Sequence, residues 1–508
     1  MNILIDGKTL TIEDVIRVAK NREPVGISED ARKAVQRARD YVDQKLSEGA
    51  VVYGLTTGFG KFSDTLIPAE ETAALQKNLI VSHACALGDP LPRQTVRAAM
   101  LLRCNTLSRG NSGISLRVLD TLLAMLNKGV HPVIPEKGSL GASGDLAPLS
   151  HMVLPMIGEG EAEYEGRVMP GAEAMEKAGI QTVELGAKEG LALINGTQIM
   201  TAIGLNVLWG AINAAKLADI AAAMTGEGLG GIVKAYDPKV HDVRGQDGQI
   251  RCADNLRRVL AGSANMRDTH PHKVQDPYSI RCVPQIHGAS KDAIEYVRGA
   301  VAREINAVTD NPLIFPDDDE VISGGNFHGQ PMALAFDFLK LAVAELANVS
   351  ERRLERLINP QLSEGLPPFL TKHGGVCSGF MIAQYSAASL VSENKIYAHP
   401  ACVDSIPSSG NFEDHVSMGT TAARTAAMIL DNTQKVLGIE LFTAAQAIWL
   451  RGERGLSPAT RAVYDFIRER VDPVEEDIIM AGALETFDRM VKENHIVEVA
   501  ERVTGELW

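Results

Sequence analysis

The run Gly138-Ser-Leu-Gly-Ala-Ser-Gly-Asp-Leu-Ala-Pro-Leu-Ser150 places a cluster of small residues ahead of Asp145 and Pro148. Such a run bends the backbone tightly and crowds it. Within it, Ala142-Ser143-Gly144 supplies what a backbone cyclisation requires. Gly144 has no side chain to shield its amide nitrogen, so that nitrogen can approach the carbonyl carbon of Ala142. One water is lost from the ring and a second from the Ser143 side chain. What remains is an exocyclic methylidene, which is an electrophile. A lone Ala-Ser-Gly is more often an ordinary turn between helices, so the neighbouring residues decide the matter. Other chemical patterns fail. Gly226, Gly228 and Gly231 fit G-x-G-x-x-G but follow a helix instead of a strand, with no βαβ unit around them. Residues 141–145 are neither a nucleophile elbow nor a phosphate loop. His270 and His272 have no Cys/His cluster to make them metal ligands, so no metal site is expected.

The whole segment resembles the signature of the aromatic amino acid ammonia-lyase and aminomutase family, in which Ala-Ser-Gly forms 4-methylideneimidazole-5-one (MIO). Further blocks resemble the family in its own order: Tyr53-Gly-Leu-Thr-Thr-Gly-Phe-Gly60, Asn78-Leu-Ile-Val-Ser-His83, Leu193-Ile-Asn-Gly-Thr197 and Gln275-Asp-Pro-Tyr-Ser-Ile-Arg281. Asp310-Asn-Pro312, Gly325-Asn-Phe-His-Gly-Gln330 and Glu413-Asp-His-Val-Ser-Met418 continue the series. Within the family, Ser82-His83, Lys372-His-Gly-Gly375, Ser378-Gly-Phe-Met381 and Glu413-Asp-His415 are most similar to the branch that acts on histidine.

The resemblance implies elimination of ammonia from L-histidine to trans-urocanate, the opening step of histidine breakdown, with MIO built from Ala142, Ser143 and Gly144 and no external cofactor. That reaction is hard because the β-hydrogen is barely acidic and the amine leaves poorly, and a covalent electrophile addresses both. The resemblance implies Tyr53 as the base for the β-proton, a task that calls for a depressed phenol pKa. It places Asn195, Tyr278 and Phe327 around the ring, with Asn195 donating to developing negative charge. Arg281 offers a fork for the substrate carboxylate, supported by Gln275, and Tyr278 can share a helical face with it. His83 and Glu413 are the candidates for reading an imidazole, since a buried carboxylate can accept from one ring nitrogen. Phe412 departs from the family, which usually has Gln there. The alternatives are a 2,3-aminomutase using the same group, a tyrosine or phenylalanine lyase, or a helical oligomer without activity. The G-S-S-x-M-P signature of the related fumarase group is absent.

These residues need a scaffold, and the composition says of what kind. Of 508 residues, 45 % are hydrophobic and 5 % aromatic. The aliphatic, Ala-rich balance favours packed helices over sheets. The expected fold is mainly α, a long-helix bundle with a loop-rich N-terminal region carrying the MIO segment, as in the ammonia-lyase/fumarase-like superfamily. Helices are predicted over 199–224, 333–358, 379–399 and 420–450, the second stopped by Asn359-Pro360. The density of Gly and Pro before Leu193 predicts two domains, 1–195 and 196–508. With 50 basic and 64 acidic residues the net charge is −14, which argues against nucleic acid and anionic membranes as partners. Six scattered cysteines without a C-x-x-C pair, and an N-terminus lacking a charged and then apolar segment, lead to the expectation of a cytoplasmic protein. Long apolar helix faces imply assembly, and the family's arrangement implies a homotetramer with sites shared between subunits.

Overall fold

The computed structural model describes residues 3–49, 57–58, 65–68 and 71–508. It is mainly helical, as the composition requires, with nineteen α-helices among the described residues. Ala- and Leu-rich runs free of Pro become the long helices Gln198–Gly228, Gln330–Ile358, Met381–Tyr397 and Gly419–Leu450. The first runs four residues beyond the predicted Met224. Gly226 and Gly228 lie inside it, and Gly230, at φ +60°, follows its end. The G-x-G-x-x-G pattern is therefore the end of a helix. The third starts later than predicted because Gly379 takes φ +56° and its backbone lies against the Phe369 carbonyl, a conformation a helix cannot include. Helix Val283–Glu304 was not anticipated. Pro284, Gly288 and Gly299 mask it in the sequence, yet Pro284 stands in the first turn, where no intrahelical N–H is needed.

Strands are short and local. Ile3–Ile5 pairs in parallel with Val25–Ile27. Glu161–Tyr164 and Arg167–Pro170 form a hairpin whose turn residues Glu165 and Gly166 both have positive φ, as a two-residue hairpin turn demands.

The chain divides into two compact units. One comprises residues 1–206, 298–337 and 400–424, the other 207–297, 338–399 and 425–508. In the first, helix Arg93–Ser108 is buried along nearly its whole length, including Arg97 and Arg103. These guanidiniums are tolerated because main-chain carbonyls accept from them: Val18 and Leu126 for Arg97, Ala192 and Asn195 for Arg103. In the second unit, Phe380, Phe442 and Phe487 stack through the core at centroid distances of 4.8 and 5.1 Å. Gln198–Gly228 is also long and apolar enough to cross a membrane by length and composition, but it is largely buried within the protein.

The second unit encloses a chain of buried ions. Arg353 grips Glu440 through two bonds of 2.6 and 2.8 Å and donates from Nη1 to Nε2 of His287 at 3.2 Å. His287 Nδ1 donates to Asp219 at 2.7 Å, and Lys291 Nζ lies 3.1 Å from the other Asp219 oxygen. Burial would raise the Asp219 pKa, but Lys291, His287 and Asn255 outweigh it and bring it down to about 2. Because that value lies below the unfolded carboxyl's value of about 3.9, the stabilisation is complete above roughly pH 4 and is lost as pH falls through 2. Replacing Asp219 by Asn takes the buried carboxylate charge away from Lys291, which keeps its bond to Trp508 O, and from His287. The variant is expected to lose about 3–5 kcal/mol, read as a lower urea midpoint at pH 7, with the difference from wild type shrinking towards pH 2.

Candidate active site

The segment from Gly138 to Asp145 is held at two of its three positive-φ glycines. Gly144 has φ +72° and pairs in a single parallel bridge with Gly196; a Cβ on it would run into the Gly196 backbone. Gly141 has φ +66°, and a Cβ there would strike Ser417 Oγ. Its carbonyl accepts from that same hydroxyl at 2.8 Å and from the Gly329 amide at 3.2 Å. Met418 N donates to Leu140 O at 2.8 Å. Three loops, carrying Ser143, Phe327 and Glu413, are thus pinned at one point.

Asp145 fixes the other side. Its carboxylate is wholly buried and accepts from Thr420 Oγ1 (2.5 Å), Ser139 Oγ (2.7 Å) and the Met200 amide (2.8 Å), while its own N–H donates to Gly196 O at 2.7 Å. Burial pushes its pKa above the usual carboxyl range against the pull of those bonds.

Asn195 closes the six-residue helix Glu189–Ile194 as its C-cap. Its Nδ2 donates to Ser143 O at 2.9 Å and Ser143 Oγ at 2.7 Å. Its buried Oδ1 has no partner among the described residues. Two buried cations steady this helix. Lys188, just before it, makes a fully buried 2.8 Å ion pair with Asp310, and Arg103 donates to the carbonyl of Asn195 at 2.9 Å. Desolvation lowers the pKa of both, that of Arg103 to about 10.

Two cavities meet at Ala142, Ser143 and Glu413. One, of about 540 Å³, includes Asn195, Phe327, Phe412 and His415 in its walls. The other, of about 570 Å³, includes Ser82, His83 and Gly144. His83 ends helix Thr72–His83, and Ser82 Oγ lies 3.0 Å from its Nδ1. Burial lowers its pKa, opposed by the Leu79 carbonyl and the Glu413 carboxylate, which favours the neutral ring. Glu413 Oε2 accepts from Ser408 Oγ at 2.8 Å, and the backbones of the two residues pair. Phe412 is 62 % exposed and presents no polar side-chain atom to the cavity it lines.

The structure therefore brings Ala142, Ser143, Gly144, Asn195, Phe327, His83 and Glu413 together in the first unit. Tyr53 lies outside the described residues. Gln275, Tyr278 and Arg281 belong to the second unit, where Tyr278 and Arg281 are in contact. Arg281 lies over the Tyr278 ring at 4.7 Å and donates from Nε to the Asp276 carbonyl at 2.8 Å. Tyr278 and Gln275 are solvent-exposed. Sequence reasoning passed over Arg103, Lys188, Ser408 and Ser417. Ser417 stood inside a quoted block; Arg103 and Lys188 act through long-range contacts, and Ser408 acts across a short loop without a recognisable pattern.

The residues suit a ring formed from Ala142-Ser143-Gly144. The Gly144 nitrogen is unshielded, Asn195 already donates to Ser143, and its free Oδ1 leaves capacity for a further polar partner. Elsewhere, Asp219, Cys252 and His287 could in principle surround a cation. The hydrogen bonds argue otherwise: Arg353 occupies His287 Nε2, so a metal on Nδ1 would need an imidazolate. Lys291 already neutralises Asp219.

Comparison with known proteins gives a consistent result. The aromatic amino acid lyase family matches residues 10–469. A histidine ammonia-lyase of Alkaliphilus oremlandii is 60 % identical over 500 residues, covering 98 % of each chain. The crystal structure of histidine ammonia-lyase from Trypanosoma cruzi superposes with a TM-score of 0.92 at 40 % identity, covering 99 % of this chain and 96 % of that one. Tyrosine aminomutase from Streptomyces globisporus gives a TM-score of 0.96 at 36 % identity over the whole of both chains.

Removing the Asn195 donor tests its place. Asn195→Ala is expected to cut ammonia release from an aromatic amino acid by about 10²–10³-fold while the circular-dichroism spectrum stays unchanged. Retained activity would contradict the assignment.

Proposed function

Because the chain belongs to the aromatic amino acid lyase family, we propose that it eliminates ammonia from L-histidine to give trans-urocanate. One observation carries the choice of substrate: Glu413, a carboxylate that can accept from an imidazole N–H, borders both cavities that meet at Ser143, and His83 lines one of them with it. An apolar aromatic ring would desolvate that carboxylate and leave it Ser408 Oγ as its side-chain donor, with nothing from the substrate, a costly arrangement.

MIO, formed from Ala142, Ser143 and Gly144, supplies an electrophile that makes the amine a competent leaving group. The chain's own residues do the rest. Asn195 Nδ2 stands ready to donate to negative charge at Ser143, and Arg103 and Lys188 hold the helix that presents it. Ser408 fixes the orientation of Glu413. Phe327 forms an apolar wall that helps exclude water. Arg281, with Gln275 near it, binds the substrate carboxylate through guanidinium nitrogens that make no bond to the described residues, and Tyr278 lies flat beneath it. Tyr53 takes the β-proton.

The working enzyme is a homotetramer with sites built from more than one copy. The solvent-facing positions of Tyr278 and Gln275 support this, as do exposed apolar side chains along two long helices: Phe338 and Leu341 on one, Ile382, Tyr385 and Ile396 on the other. A smaller fully active species in light scattering would contradict it.

The decisive test follows urocanate formation in the near ultraviolet. Ser143→Ala should abolish it. Glu413→Gln should impair histidine turnover far more than ring formation, seen as an intact mass still short by two waters. β-Histidine as product in place of urocanate would replace the lyase reading with a mutase one.

A further inference from the structure

His328 and His415 stand on different loops and line the same cavity as Ser143, Asn195 and Glu413. Their rings are stacked, with centroids 5.8 Å apart and planes within 5° of parallel. The hydrogen bonds assign the tautomer of His328. Its Nδ1 receives the Gln330 amide at 3.3 Å, and an amide can only donate, so Nδ1 is bare. Its Nε2 lies 3.2 Å from the His415 carbonyl, which can only accept, so Nε2 carries the proton. His328 thereby joins the loop bearing Phe327 to the loop bearing Glu413 and supports one face of the His415 ring.

The ring nitrogens of His415 make no hydrogen bond with the described residues, and the side chain is exposed at the cavity. A neutral imidazole substrate brings one donor and one acceptor. Glu413 can take the donor. The acceptor still needs an N–H, and His415 can present one from the adjoining position. His83 lines the neighbouring cavity, which shares Ala142, Ser143 and Glu413 with this one; in the cavity that also holds Asn195, His415 is the histidine whose ring nitrogens are not engaged by the described residues. Asn195, Glu413 and the histidine pair all line this one cavity.

We infer that His415 is a specificity residue for the substrate's imidazole ring and that His328 is the residue that positions it. The inference rests on histidine being the substrate, as set out above. It also accounts for the parallel stack: a fixed ring offers its N–H in one direction, so less rotamer entropy is lost when substrate binds.

The test uses the full-length protein. His415→Phe keeps a flat ring against His328 and removes both nitrogens. The KM for L-histidine and the calorimetric Kd should each rise about tenfold, the worth of one hydrogen bond to substrate. The fall in kcat should be smaller, and the melting temperature should not change. The preference for histidine over phenylalanine in kcat/KM should fall by a similar factor. His328→Phe should shift KM in the same direction, and His328→Gln, which can still donate to the His415 carbonyl, should recover part of the loss.

A KM and Kd within about twofold of wild type in His415→Phe would overturn the inference. So would a loss of kcat and melting temperature together with KM unmoved, since that marks a structural role. If the wild-type protein binds histidine without turning it over, the reaction proposed above fails, and the Kd comparison still decides the role of His415.

Discussion

Two stretches of backbone pass each other at Gly144 and Gly196 with no room for a Cβ on either. At Gly196 a Cβ would meet Arg103, Gln198 and Thr309. At Gly144 it would meet the Gly196 peptide itself. This clearance is the constraint on which the rest of the site depends. It lets Asp145 N reach Gly196 O, sets Asn195 one residue away from the crossing, and brings its amide within hydrogen-bond reach of Ser143. A methyl group at Gly144 would push the two stretches apart and separate the residue to be dehydrated from the residue that donates to it. One at Gly196 would displace the Arg103, Gln198 and Thr309 side chains packed against the crossing.

The crossing is held by buried polar groups, and these are strong only when fully satisfied. Asp145 has three donors, Lys188 has Asp310, and Arg103 has carbonyls and the Gln198 amide oxygen. Asn195 Oδ1 is the buried exception beside the reacting residue. Arg103 Nε also lacks a partner among the described residues, but Asn195 Oδ1 is the unsatisfied acceptor on the residue that touches Ser143, and it leaves bonding capacity there for a ligand. Rigidity around it gives the donor a fixed aim, which is the condition for electrostatic stabilisation without reorganisation.

How much of this the sequence discloses depends on how local each cause is. The Ala142-Ser143-Gly144 chemistry and the long helices rest on adjacent residues and on composition, so both are legible. Asn195, Phe327, His83 and Glu413 are legible through the family blocks that carry them. Helix Val283–Glu304 is hidden by Pro284, because the sequence alone does not say that a proline lies in the permitted first turn. Arg103 reads as one more polar residue in Arg93–Ser108, since the carbonyls that justify its burial come from residues about 90 positions away. Ser408 supports Glu413 from across a loop that has no recognisable motif. His328 and His415 lie within quoted blocks, yet their stacking is a relation between two loops and is visible only once those loops are folded together.

The central claim is that the backbone from Ala142 to Gly144 is the electrophile in the active protein. Peptide-resolved mass spectrometry of a preparation with full histidine turnover addresses it directly. The fragment spanning residues 138–150 should be lighter than its sequence by two water molecules, and adding a small carbon or sulfur nucleophile should place one adduct on that fragment as turnover is lost. A fully hydrated Ala142-Ser143-Gly144 in a preparation with undiminished turnover would contradict the account.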